Sequence, residues 1–355
     1  MKLRLIGQAN DSGIGTHYYH YVKALRQIKG VNDIIELVDF QDHDAIKRAA
    51  DISQPDDVNI SFICNNLNDL FKGTNINWAV SESTVIPETL MPVLRTHDLW
   101  IPSEWGRKIA IENGIDSSKI EVVPEGVDGD VFHPYLKLKE NRPFRFLLLG
   151  KYEIRKSFNE TIEAFNREFN NNSSVELIIK TDFFRNQEEK YAELQAKITS
   201  YNTNNIKLIW GYQTIEQLAE LYRTADVFVM PTKAEGWGLP LIEAAAAGLP
   251  VITTFYSAQT EFLQDIKSSC IFVNYELQPI DCPEYQEFYH RPDGNYGKWA
   301  VTTVDEVAKA MRHAYTNYSA LNAQAIKNSE IIRTRWSWAN CAIKSLEILK
   351  KRGLL

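Results

Sequence analysis

Two glutamates, Glu235 and Glu243, stand with seven residues between them in AEGWGLPLIEAAAAGLPVI, residues 234 to 252. Carboxylates so spaced offer two chemistries. They can flank one bond as acid and base, as in glycoside hydrolysis, where the carboxyl groups stand roughly 5 to 10 Å apart. They can also make separate contacts with one ligand. A fully helical stretch would put them roughly 12 Å apart along the axis, but the Gly-Trp-Gly-Leu-Pro turn changes that separation, so spacing leaves both readings open. A second cluster, GKYEIRKSFNE, sets Lys151 at the end of an apolar run and Lys156 just before Ser157, which opens the next helix. Two ammonium groups and a helix N-terminus suit a diphosphate, whose charge grows as it leaves. A solvated basic turn would use the same residues. Hydrolysis of a glycoside needs no cationic anion site, so the lysines favour a phosphate-bearing ligand and the reading of the glutamates as two contacts.

Weaker signals lie nearer the N-terminus. In GQANDSGIGTHYY, Gly13 and Gly15 precede a helix whose free N–H groups can cradle an anion, although a tight turn explains them about equally. The pair lacks the third glycine of a dinucleotide fingerprint. Glu82, in AVSESTVIPE, follows a strand and faces either a ligand crevice or a helix start. His17 and His20 share a helix face at metal-binding spacing, but no third ligand is evident, and they read as ordinary surface or pocket histidines.

The elements that must position these residues alternate. LRLIG, IIELVDF, VNISFIC, NWAVSE, LWIPSE and IEVVPEG form one series of apolar runs, and FRFLLLG, VELIIK, IKLIWG, VFVMPT, PVITT and CIFVN a second. Continuous apolar strands separated by helices mean α/β architecture with parallel sheets covered on both faces. Since ligands sit beyond the carboxyl ends of such strands, the loops above are the ones that matter. VFVMPT is a strand that puts Glu235 in a loop, where Gly236 and Gly238 let the backbone approach a ligand. Pro240 then opens a helix ended by Gly248 and Pro250, which places Glu243 in its first turn. Ser157 with Glu160, Thr214 with Gln217 and Thr303 with Glu306 read as capping boxes. The linker is VFHPYLKLKENRPF, residues 131 to 144, giving domains 1–135 and 136–335 and an amphipathic tail, 336–355. The aromatic stretch CPEYQEFYHRPDGNYGKW, residues 282 to 299, either shapes donor choice or packs over the second domain, and aromatic content favours packing.

At 355 residues the chain suits about two domains, and its net charge of -7 argues against nucleic acid as a partner. Cys64, Cys270, Cys282 and Cys341 form no C-x-x-C pair and read as buried thiols in a reducing compartment. No signal peptide or membrane span is evident, so the expectation is a soluble cytoplasmic protein, with peripheral membrane contact left open.

EGWGLPLIE resembles the E-x7-E signature of retaining GT-B glycosyltransferases of family 4. So do SGIGT, WIPSEWGRKIAIENGI with VVPEGVD, GKYEIRKS and GKWAVTTVDEVAKAM, in order and over nearly the whole chain. The resemblance implies two Rossmann-like domains facing across a crevice, with the tail crossing back to the first. It implies a nucleotide-diphosphate-sugar donor on the second domain and a saccharide, lipid-linked or protein acceptor on the first, with no bound metal or cofactor. Glu243 would hold the donor ribose and Glu235 the transferred sugar. Lys151 and Lys156 would bind the diphosphate. Gly236, Trp237, Gly238 and Leu239 would reach phosphates or sugar through their backbone, and the Gly13 to Gly15 loop would close from the first domain. The chain departs from the family at Lys151, where arginine is usual, at Ser157, where glycine is common, and at Glu125, where histidine or asparagine is frequent. Where many relatives have a histidine after the fourth strand, Ser81 or Glu82 takes the place. The fold also hosts nucleotide-sugar epimerases and sugar phosphorylases, and a non-catalytic partner subunit would share it. Retention of both glutamates and both lysines favours transfer.

Overall fold

The computed structural model describes residues 2–10, 12–29, 34–37, 43–62, 69–135, 142–182, 187–289 and 291–355. Cys64 and linker residues 136–141 lie outside these. The chain divides into two compact units, one of residues 1–126, 281–297 and 336–355 and the other of 127–280 and 298–335.

In the first unit the apolar runs become strands β1 (Leu3–Ile6), β2 (Ile34–Leu37), β3 (Val58–Ser61), β4 (Thr74–Trp78), β5 (Asp98–Ile101) and β6 (Ile120–Val122), with helices α1 (Gly13–Arg26), α2 (His43–Asp51), α3 (Met91–Thr96) and α4 (Glu104–Glu112) between them. Among the described residues they form one parallel sheet in the order β2-β1-β3-β4-β5-β6. β1 and β3 are buried throughout, as strands covered on both faces must be. Arg4 on β1 is fully buried, so its guanidinium needs a partner, and Nη1 donates to Asp57 Oδ2 at 2.7 Å. Ser12 caps α1 by accepting from Gly15 N.

The second unit repeats the plan with β7 (Phe144–Leu149), β8 (Val175–Thr181), β9 (Ile206–Trp210), β10 (Val227–Val229), β11 (Val251–Thr254) and β12 (Cys270–Val273). Its helices so far are α5 (Phe158–Phe169), α6 (Gln187–Ser200), α7 (Ile215–Thr224), α8 (Leu239–Ala246) and α9 (Thr260–Leu263). The order is β12-β11-β10-β7-β8-β9, again parallel. Strand order reverses between β7 and β10, which pair through Val227↔Phe146 and Phe228↔Leu147. Loops diverge at such a switch point and open a ligand crevice beyond the strand ends. Residues 127–135 join this unit rather than the first. Phe132 sits 5.5 Å from the Tyr222 ring and Arg223 Nη2 donates to Val131 O at 3.4 Å. The boundary therefore falls at Gly126, ahead of the prolines and charges that suggested 135.

After β12 come β13 (Glu276–Pro279), α10 (Pro283–Tyr289), β14 (Lys298–Val301), α11 (Val304–Thr316), α12 (Tyr318–Arg335) and α13 (Trp338–Lys351). β13 and β14 pair antiparallel in the second unit, while the connection 281–297 belongs to the first. The expectation that this aromatic stretch packs over the second domain is thus corrected. Aromatic content marks burial but not which core receives it. The tail also joins the first unit. Tyr21 OH and Ser345 Oγ share a hydrogen bond of 2.7 Å, and Arg352 pairs with Asp98 at 2.7 Å. No helix of the described residues is long and apolar enough to cross a membrane.

The capping expectations divide. Thr214 and Gln217 form the reciprocal box, and Thr303 accepts from Glu306 N. Ser157 makes no cap hydrogen bond, because it adopts φ 54°, ψ 38° between a 3-10 turn and α5, and its side chain cannot reach the first-turn donors from there. The left-handed backbone explains why glycine would suit this position.

The α1 glycines differ in kind. A Cβ on Gly15 would stand 2.3 Å from Asn10 Oδ1 and 2.5 Å from Asn10 N and O, whereas one on Gly13 meets nothing within 4 Å. Gly15→Ala should lower stability by about 2 kcal/mol through this clash. Gly13→Ala should leave it unchanged or raise it by a few tenths of a kcal/mol. Urea denaturation of the two variants checks the contrast, and equal effects would contradict it.

Candidate active site

The β7–β10 pairing brings together two loops that lie about 80 residues apart in sequence. After β7 the chain runs through Gly150 and Lys151 to a 3-10 turn, Ile154–Lys156, and then α5. After β10 it runs through Thr232, Lys233 and Glu235 to α8. A backbone clasp closes the loops on each other, with Lys233 N donating to Arg155 O at 2.7 Å and Ala300 N of β14 donating to Lys233 O at 2.9 Å. The Lys233 ammonium pairs with Glu160 of α5 at 2.9 Å.

Glu235 is 4% exposed. Lys156 Nζ donates to its Oε1 and Oε2 at 3.0 and 3.2 Å. Arg155 Nη1 lies 2.9 Å from Oε1 and also donates to Ala234 O, while Thr232 Oγ1 donates to Oε1 at 2.7 Å. Burial alone would push the Glu235 carboxyl up, but Arg155, Lys156 and the Thr232 hydroxyl outweigh it and hold the group well below the usual carboxylate range. Its backbone is fixed from the loop after β11. Glu235 N donates to Ser257 Oγ at 2.8 Å, and Ser257 Oγ in turn donates to Gln259 Oε1 at 2.7 Å. A Cβ on Gly150 would stand 2.9 Å from Lys156 Cδ, so glycine there makes room for the lysine stem.

Glu243 is the fifth residue of α8, one residue beyond its expected place in the first turn, because the helix begins at Leu239 rather than at Pro240. Gly238, with φ 99°, is the glycine of the GWG turn in the left-handed region, and Leu239 starts the helix. Tyr222 of α7 is fully buried and its hydroxyl donates to Glu243 Oε2 at 2.8 Å. Burial raises the Glu243 carboxyl to about 7 against the opposing Tyr222 hydrogen bond. The two glutamates are thus set oppositely, one locked as an anion and the other titrating near neutrality. Gly236 is buried. Trp237 is 3% exposed with its ring 5.2 Å from Phe262, which makes its side chain part of the core.

Lys151 lies one residue beyond Gly150, after β7, and is half-buried, close in sequence to the cluster that Lys156 joins. Arg155, Thr232, Tyr222 and Ser257 were missed in sequence. Arg155 had a signal, a second cation beside Lys156 in EIRKS. The others had none, because each acts through a hydrogen bond from a distant element. The buried Ser157 hydroxyl has no partner among the described residues.

Gly13, Gly15 and Glu82 belong to the first unit. Glu82 is half-buried in the loop after β4, flanked by Ser81, whose Oγ donates to Ser83 O at 2.8 Å. His17 and His20 are not surface residues. They are 4% and 5% exposed and stack on Trp338 at ring distances of 5.4 and 5.5 Å. Burial, and to a smaller extent His20, lowers His17 to about 3. Glu125, 3.6 Å from its Nδ1, is raised to about 8 by burial. The two therefore meet as neutral groups at neutral pH. Among the described residues no three His, Cys, Asp or Glu side chains are grouped to hold a metal ion.

Residues 136–279 match the family described as glycosyl transferases group 1. The chain is 23% identical over 246 residues to a probable sucrose-phosphate synthase of Thermosipho melanesiensis, covering 67% of this chain and 48% of the relative. It is 36% identical over 108 residues to the serotype-specific mannosyltransferase WbdA of Escherichia coli, covering 30% of this chain and 13% of that protein. These alignments span half or less of the curated relatives. Among solved structures, Alr3699/HepE of Anabaena, in complex with UDP and glucose, superposes with a TM-score of 0.74 at 13% identity over 99% of both chains. The two parallel-sheet units are those of the GT-B fold.

Because Glu243 holds its proton more tightly folded than unfolded, its stabilising contribution is full below about pH 4.5 and is lost as pH rises through about 7. Glu243→Gln removes that slope. The variant should gain on the parent by on the order of 2 kcal/mol between about pH 5 and 8, read as a difference in Tm that grows with pH. A difference independent of pH would contradict the assignment.

Proposed function

We propose that this chain, whose residues 136–279 match the glycosyl transferases group 1, is a retaining, metal-independent glycosyltransferase of family 4. It moves a sugar from a nucleotide-diphosphate sugar, bound by the second unit, to an acceptor hydroxyl bound by the first. The observation that carries this reading is the buried Arg155–Glu235–Lys156 cluster at the β7–β10 switch point, beside the N-terminus of α5. Two cations share one carboxylate there, next to a helix end whose first-turn N–H groups favour an anion. A diphosphate meets that demand. The relatives named as a sucrose-phosphate synthase and a mannosyltransferase, and the fold neighbour solved with UDP and glucose, support a hexose donor.

In this mechanism the donor diphosphate lies against Lys156, Lys151 and the α5 N-terminus, with Arg155 behind Lys156. The bond between the anomeric carbon and the β-phosphate oxygen breaks, and the electron pair stays on the phosphate. The cationic groups stabilise the charge that grows there, the role a metal ion would otherwise fill. The acceptor oxygen attacks on the same face, and its proton passes to the departing phosphate oxygen. Glu235, locked as an anion, accepts hydrogen bonds from hydroxyls of the transferred sugar. Glu243 receives the ribose diol, and two hydroxyl donors draw its carboxyl into the ionised form. Gly236 to Leu239 present backbone N–H groups beside them. Glu82 faces the acceptor or the transferred sugar.

Loss of one contact to the leaving diphosphate costs about 3 kcal/mol, or roughly a hundredfold in rate. Lys156→Ala should lower nucleoside diphosphate release from the preferred donor by that factor. The donor is found by thermal shift across UDP-, GDP- and dTDP-hexoses, since a ligand of the folded state raises Tm. Unchanged donor affinity and turnover in Lys156→Ala would remove the lysine from the mechanism. No shift with any of the nucleotide sugars would count against the donor class itself.

A further inference from the structure

The loop that carries Glu82, between Ala79 and Leu90, has neither helix nor strand, so its backbone must find partners outside itself. On one side Asn113, at the end of α4, supplies them. Its Oδ1 accepts from Ile86 N at 3.0 Å and its Nδ2 donates to Thr84 O at 3.1 Å. On the other side lies residues 291–297 of the segment that joins β13 to β14. Ser83 is fully buried. Its hydroxyl donates to Tyr296 O at 2.5 Å and accepts from Val85 N at 3.2 Å. Arg291 Nη1 donates to Ile86 O at 2.9 Å.

The segment is itself preorganised for this contact. The rest of the Arg291 guanidinium is held by Asp293, with Nε to Oδ1 at 3.0 Å and Nη2 to Oδ2 at 2.7 Å. Asp293 Oδ1 also accepts from Asn295 N at 3.0 Å, and Asn295 Oδ1 accepts from Gly297 N at 3.1 Å. Gly297 has φ 84°, and a Cβ there would stand 2.3 Å from Ser83 Oγ and 2.8 Å from Thr84 Oγ1 and Val85 N. Its backbone therefore lies directly on the residues that follow Glu82, at a distance no side chain permits.

We infer that segment 291–297 positions Glu82, with Ser83, Arg291 and Gly297 as positioning residues that hold the backbone from which its carboxylate meets substrate. This rests on the reading of Glu82 as a group that faces substrate. A carboxylate on an otherwise irregular loop orients a hydroxyl only if its backbone is held, and here Ser81 is tied across Glu82 to the Ser83 carbonyl while Ser83 is tied to Tyr296.

The test compares Gly297→Ala and Ser83→Ala, each alone and combined with Glu82→Gln. UDP release from UDP-glucose and GDP release from GDP-mannose are measured with hexoses and hexose phosphates as acceptors, alongside titration with UDP and GDP. The expected result is a kcat more than tenfold lower for each single variant and nucleoside diphosphate affinity within twofold of the parent. Adding either substitution to Glu82→Gln should cause no further loss, since residues acting as a unit are not additive. Ser83→Ala, which removes one oxygen, carries the test if Gly297→Ala does not fold. Parental rates in both single variants, with Glu82→Gln impaired, would overturn the positioning role and leave the reading of Glu82 standing. A parental rate in Glu82→Gln would overturn both. Additive losses would show that the segment acts other than through Glu82, and would overturn the proposal.

Discussion

A carboxylate removed from water must be met by positive charge, and Glu235 is met by two cations and a hydroxyl. Much of the second unit follows from that requirement. The cations come from the loop after β7 and the anion from the loop after β10, so the sheet must seat those strands side by side although α5, β8, α6, β9 and α7 separate them in sequence. Arg155 and Lys156 are adjacent in a 3-10 turn, and both side chains reach the same carboxylate. Ser157 then takes a left-handed conformation that turns the chain into α5. Taking away either cation would leave a buried charge under-compensated, which typically costs several kcal/mol. The same arrangement is suited to a second anion, because the cations are oriented before any ligand arrives.

Glu243 answers to the opposite setting. Among the described residues it meets the Tyr222 hydroxyl through one hydrogen bond, and burial keeps its proton near neutrality. Carboxyl groups held so far apart in acidity resemble an acid and a base, and in a glycosidase that would be their use. Here the lower one is locked by two cations rather than left open to activate water, and the higher one is bound to a tyrosine on a helix. Their settings fit recognition of two parts of one ligand, the sugar at an anion and the ribose at a carboxyl that ionises when hydroxyls reach it.

Much of this was legible in the sequence, and the limits were physical. FRFLLLG and VFVMPT announced buried strands because continuous apolar runs fit a sheet covered on both faces. The pairing of β7 with β10 was not announced, since strand order is set by non-local packing. Lys156 was found from its place before a helix. Arg155 beside it was passed over because an arginine in a basic turn is usually solvated. Ser157 matched a capping box by residue type, but the box requires an extended backbone that the tight 3-10 entry denies it. His17 and His20 read as surface or pocket histidines and are buried, His17 among Phe62 and Trp78, and both against Trp338 of the returning tail. The excursion of 281–297 into the first unit left no local signal, as its glycine and aspartate pattern describes a turn and not its destination.

The central claim is that Glu235 and Glu243 hold different parts of one nucleotide sugar. Calorimetric titration of Glu235→Gln and Glu243→Gln with UDP and UDP-glucose, and with GDP and GDP-mannose, addresses it directly. The account expects Glu243→Gln to weaken a nucleoside diphosphate and its sugar conjugate by the same factor. It expects Glu235→Gln to weaken the conjugate alone, so that the sugar no longer adds affinity. Equal weakening of diphosphate and conjugate by both variants, or no effect of either, would contradict it.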